Sequence, residues 1–178
     1  MIVRVHLKNF KSFEDELVEG LSPRLNLLLG LNGQGKSNFY AALRFAITPT
    51  DRPALAPEEK RALLNERLPA AELWVALTLS NAGERFPLKA AEVTFKKRVD
   101  AEHRLLHYIN ELPLPAEEYY SLLECGSVGR LLRLLRLDGA GALDGAEVFQ
   151  LLREITGARV YERKRAESVA IMEKAAAE

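Results

Sequence analysis

Leu27-Leu28-Leu29-Gly30-Leu31-Asn32-Gly33-Gln34-Gly35-Lys36-Ser37-Asn38-Phe39 runs from apolar residues through three glycines into lysine and serine. The spacing is G-x-x-x-x-G-K-[ST], a P-loop. Glycines without a Cβ let successive backbone N–H groups turn inward around a phosphate chain. Lys36 then reaches the β- and γ-phosphates as a point charge, Ser37 offers its hydroxyl to Mg²⁺, and the following helix aims its positive end at the anion. Accident matches this pattern in fewer than roughly one chain in a hundred of this length, given ordinary Gly, Lys and Ser/Thr usage. The flanks agree with the motif: Leu25 to Leu29 is expected as an apolar strand and Asn38 to Ile47 as a helix.

The chain has 178 residues, 48% of them hydrophobic, enough to bury a real core in a single domain. Its formal net charge is zero, so no overall basic field announces nucleic acid. Cys125 is the single cysteine, which excludes an internal disulfide framework and reads as a small buried hydrophobe. No apolar run approaches the length of a membrane span, and Arg4, His6 and Lys8 interrupt anything like a signal-peptide core. An intracellular soluble protein is expected. His6, His103 and His107 show no metal-ligand spacing with Cys or acids.

Outward from the P-loop, Ile2 to Leu7 alternates like a half-buried strand, and a second strand is expected around Glu16 to Glu19. Pro57 followed by Glu58 and Glu59 marks a helix start, running to about Arg67. Leu73 to Leu79, the run whose Val93, Phe95, Lys97 and Val99 share one face, and Leu105 to Ile109 closed by Asn110-Glu111 form an antiparallel β-layer. Lys96, Lys97 and Arg98 read as a solvated basic face, and Trp74 as core or lobe interface. Helices are expected over Ala116 to Glu124, Leu131 to Leu137 and Ala146 to Thr156, with a glycine-rich hinge or mobile loop from Asp138 to Gly141. Ala158 to Glu178, rich in Ala, Glu, Lys and Arg, reads as an exposed or coiled-coil helix just beginning.

A P-loop ATPase also needs a second acidic Mg²⁺ ligand and a group that orients water. Leu131 to Asp138 ends in an acid, but Arg133 and Arg136 suit an amphipathic helix better than a strand. "LDGAGALDG" lacks the serine and glutamine of an L-S-G-G-Q segment. No catalytic residue is assigned within the chain.

"NFKSF" at residues 9–13, "GLNGQGKSNFYAALRFAIT" at the P-loop, "LAPEEKRALLNE" and "LLREITGARVYERKRAES" together resemble the N-terminal ATPase head of structural maintenance of chromosomes (SMC) proteins. The resemblance is nearest to subunit three of cohesin and covers nearly the whole chain. It implies an α/β, ABC-type P-loop ATPase head, present here as its N-terminal lobe (1–157) with an antiparallel β-layer, followed by the start of a coiled-coil neck helix (158–178). The chain's own C-terminal lobe would supply the missing acid and the L-S-G-G-Q-like motif. The resemblance further implies that Asn32, Gly33, Gly35, Lys36 and Ser37 cradle ATP–Mg²⁺, that Asn38 supports the loop, and that Lys11 and Ser12 approach the nucleotide. Its implied partners are a second SMC head, a kleisin at the neck helix, and DNA, in the nucleus and on the chromosome, serving sister-chromatid cohesion.

Departures from the family pattern bear on turnover. Where the family carries a Mg²⁺-coordinating glutamine after paired aromatics, Tyr119-Tyr120 here leads to Glu124 and Cys125, of which Glu124 is the possible metal ligand. Ala56 stands where an arginine is expected, and His103 and Arg104 stand where cohesin carries paired acetylated lysines. Two other readings therefore stand beside an active head: a nucleotide-binding structural head with impaired hydrolysis, and a RecF-like DNA-repair ATPase.

Overall fold

The computed structural model describes residues 1–23, 25–49, 52–68 and 72–125. They lie in one compact unit, Met1–Leu132. The helices expected over 131–137, 146–156 and 158–178, and the boundary at 157, lie outside the described residues.

Six antiparallel strands form one sheet in the order β2-β1-β3-β4-β5-β6. They are β1 (Ile2–Phe10), β2 (Phe13–Val18), β3 (Leu73–Ser80), β4 (Glu92–Val99), β5 (Leu105–Ile109) and β6 (Leu112–Leu114). Alternation fixes the register. Val5, Leu77, Phe95 and Ile109 stand opposite one another across four strands, all buried. The next row, His6, Ala76, Lys96 and Tyr108, faces the other side. Slipping any strand by one residue would exchange these rows.

Helices α1 (Lys36–Ile47) and α3 (Ala116–Cys125) cover the apolar face, α1 against β3 and β4 and α3 against β5. Ala42, Ala46 and Ile47 are the buried residues of α1, and Tyr119 and Leu123 those of α3. Phe95 is packed between rings, 5.3 Å from Phe86 and 5.4 Å from Tyr119. Each such fully buried side chain contributes about 1.5–3 kcal/mol of transfer free energy.

Several expectations are corrected. Leu25 to Leu29 is not a strand among the described residues; Leu25, Leu27, Leu28, Leu29 and Leu31 are 52–78% exposed. Sheet structure needs a pairing partner, and the edge beside β1 is already filled by β2. Helix α2 (Pro57–Leu63) stops four residues short of Arg67, because Leu64 bridges to Phe10 and Lys11 N–H donates to the Leu63 carbonyl at 2.7 Å. β6 was not expected. Asn110 and Glu111, at φ 48° and 65°, form a two-residue turn that lays it against β5. Cys125 is exposed at the end of α3.

Lys97 is likewise not on a solvated face, for it belongs to the inward row and is 1% exposed. Its neighbours Lys96 and Arg98 face outward and pair with Glu111 and Glu72. Trp74 lies on that outer face, with Lys96 Nζ 4.7 Å above its ring and His6 edge-on at 4.6 Å.

Candidate nucleotide site

The P-loop leaves the exposed leucine segment at Gly30 and enters α1 at Lys36. Gly33 and Gly35 have φ of 85° and 89°, the left-handed conformation that turns consecutive N–H groups to one side. Gly35 is also the N-cap of α1, and its carbonyl accepts from Phe39 N–H at 2.9 Å. No side chain caps this helix end, so its first N–H groups face the loop. The first turn holds no acid that would oppose an anion.

Lys36 Nζ donates to the carbonyls of Gly30 at 2.7 Å and Leu31 at 2.8 Å. Its ammonium thus lies across the mouth of its own loop, and a phosphate chain would exchange with these carbonyls for it. Gln34, which sequence reasoning passed over, accepts from Leu31 N–H through Oε1 at 2.8 Å and closes the loop on itself. Its signal was available: an amide inside a glycine-rich turn can bond backbone two or three residues away. Asn32, Gly33 and Ser37 are exposed on this loop.

The turn joining β1 to β2 leans on the loop. Lys11 sits at φ 50°, which brings Ser12 so close to Gly35 that a Cβ there would stand 2.9 Å from Ser12 Oγ. Asn38 Nδ2 donates to the same Oγ at 3.0 Å, tying α1 to this turn. Phe13 and Phe39 pack edge to face behind it, with centroids 6.3 Å apart. The structure therefore brings Ser12, Gly35 and Asn38 together, with Lys36 and Ser37 adjoining in sequence. Lys11 is next to Ser12 and half-buried.

Glu124 is exposed on α3. That helix packs on β5, and its tyrosines reach the far end of α1, where Tyr119 Oη donates to Ala46 O and Tyr120 Oη to Thr48 O, both at 3.0 Å. His103, at φ 67°, and Arg104, held by Asp100 and Glu102, form the turn between β4 and β5.

A glycine-rich loop thus stands at a helix N-terminus beside an antiparallel sheet. The family described as RecF/RecN/SMC N terminal domain matches residues 1–129. The chain belongs to this family. Chromosome segregation protein sudA of Emericella nidulans is 30% identical over 96% of the chain, and structural maintenance of chromosomes protein 3 of Caenorhabditis elegans is 31% identical over 96%. The chain spans 15% and 14% of the lengths of these relatives. An Smc head domain with a coiled coil and joint from Pyrococcus yayanosii superposes with a TM-score of 0.72 at 24% identity, covering 97% of this chain and 35% of that one. The fold is that of the N-terminal lobe of an SMC-type ATPase head.

Proposed function

We propose that this SMC-type lobe binds ATP–Mg²⁺ and serves as the N-terminal half of a cohesin-type head in sister-chromatid cohesion and chromosome organisation, in the nucleus and on the chromosome. The observation that carries the reading is the cradle: Gly33 and Gly35 in left-handed conformations, an uncapped helix start, and Lys36 folded back over the loop onto the Gly30 and Leu31 carbonyls. Asn32, Lys36 and Ser37 line it, and Lys11 and Ser12 flank it. Similarity to a protein named structural maintenance of chromosomes protein 3 supports the cohesin type.

Ser37 suits Mg²⁺, being an exposed hydroxyl oxygen on the first turn of α1. When bound, Mg²⁺ neutralises charge that develops on the terminal phosphates. Glu124 is the second candidate ligand; Tyr119 and Tyr120 of its helix bond the end of α1 opposite Ser37. Hydrolysis is assigned to a completed head, in which the C-terminal lobe covers the exposed leucines and an ATP sandwich engages a second SMC head. The kleisin belongs to the neck helix, and DNA to the assembly.

Binding of a fluorescent ATP analogue tests the reading, on the chain alone and with its C-terminal lobe supplied. Lys36→Ala should weaken binding at least about tenfold, and chelating Mg²⁺ should weaken it further. Equal binding by wild type and K36A, or none in either format, sinks it. Turnover that persists in E124Q within about twofold removes Glu124 from the metal set.

A further inference from the structure

Beneath the far end of α1 lies a cluster that nucleotide binding, as read above, does not use. Lys97 projects from β4 into the core, where Nζ donates to the Thr48 carbonyl at 3.1 Å and to Tyr120 Oη at 2.7 Å. Tyr120 Oη donates its own proton to Thr48 O at 3.0 Å. His107 Nε2 stands 3.1 Å from the same hydroxyl. The rings of Phe45 and Tyr120 stand 5.0 and 5.5 Å from the ammonium. Donors from β4 and α3 thus converge on the carbonyl end of the P-loop helix.

The arrangement answers a need and carries a cost. The last carbonyls of a helix have no partners within it, and a cation there also meets the negative end of the helix dipole. Tyr119 and Tyr120, however, already bond the Ala46 and Thr48 carbonyls. Holding an ammonium 1% exposed is costly, and an apolar residue of similar volume would often be no less stable. Stability alone therefore does not explain Lys97; geometry does. α1 is a twelve-residue rod of about 18 Å with the cradle at one end and this clamp at the other. Along its flank it touches β1 and the β1–β2 turn through Phe10–Phe45 and Ser12–Asn38. A rod held at both ends cannot pivot about its middle.

We propose that Lys97 is a positioning residue for the nucleotide cradle. With Tyr120 it fixes the Thr48 end of α1, and so sets Lys36 and Ser37 against the turn at Lys11 and Ser12. The proposal rests on the cradle being the nucleotide site, and its first test does not.

In the nucleotide-free chain, amide hydrogen exchange at Phe39 to Ala42 should quicken about tenfold in Lys97→Met, and Lys97→Arg should restore most of the protection. Val93→Ala, a buried change on the same strand, controls for general loosening: at matched loss of melting temperature it should leave these amides near the wild-type rate. If K97M does not fold, Tyr120→Phe, which deletes the hydroxyl shared by Lys97 and Thr48, should act in the same direction by about threefold. Unchanged exchange in K97M, or in Y120F where K97M does not fold, overturns the proposal, as does equal quickening in V93A. Affinity for the fluorescent ATP analogue should then fall about tenfold in K97M and recover in K97R. If wild type binds no nucleotide while exchange responds as stated, the nucleotide reading fails and the clamp stands.

Discussion

Single residues in this lobe separate into those whose backbone matters and those whose charge matters. Gly33 and Gly35 share a left-handed conformation, but a Cβ at Gly33 would meet nothing within 4 Å, whereas at Gly35 it would meet Ser12 Oγ at 2.9 Å. Gly33→Ala should therefore cost only the conformational term, about 1 kcal/mol, and Gly35→Ala more, by about another 1 kcal/mol for the displaced β1–β2 turn. Urea unfolding of the two variants measures the difference, and equal losses would show that the turn yields freely. Lys97 and His107 make the charge argument. Burial lowers Lys97 to about 8 from 10.5, and burial, then the charge of Lys97, lowers His107 to about 4 from 6.5. In both cases the unfolded chain binds more protons between the two values, so stability rises with pH across each window. Acidification from pH 6.5 to 4 should cost up to about 3 kcal/mol through His107, and His107→Gln should flatten that limb. Between pH 8 and 10.5 wild type should gain on Lys97→Met by a similar amount; parallel curves in urea titrations would remove the buried-ammonium account.

At the level of elements, legibility followed the source of each element's stability. β3, β4 and β5 were readable because one buried face imposes a period of two, and the same period already placed Lys97 with Val93, Phe95 and Val99. The basic run was nevertheless read by composition as a solvated face, although position in the alternation decides burial. β6 escaped because three residues containing Pro113 carry almost no pattern, and the turn, not the strand, specifies it. That turn puts Glu111 at φ 65°, a conformation glycine adopts without penalty. Glu111→Gly should therefore stabilise the β5–β6 hairpin by about 0.5–1 kcal/mol, less whatever the Lys96–Glu111 pair contributes at the surface. A fall in melting temperature would mean that the ion pair outweighs the backbone strain.

For the whole molecule, the loop and the helix that follows it were legible, because the glycine spacing calls for left-handed turns at a helix start, and the roles proposed for Lys36 and Ser37 rest on that geometry. The strand expected before the loop was not recoverable in the same way. An apolar run reports that burial is wanted and says nothing about which backbone supplies the hydrogen bonds. Leu25, Leu27, Leu28, Leu29 and Leu31 stand exposed immediately before the cradle. In the proposed head, the C-terminal lobe pairs with this segment and buries these side chains. The sign of a substitution then depends on context. Leu27→Lys with Leu29→Lys should leave the melting temperature of the chain alone unchanged or slightly higher, since both residues are about three-quarters exposed. With the C-terminal lobe supplied, the same pair should abolish co-purification, because two charges would enter an apolar interface without partners. Size-exclusion chromatography of the mixed lobes reads the result. If the double variant assembles as well as wild type, the leucines lie outside the lobe interface, and the segment reaches the cradle as an exposed tether.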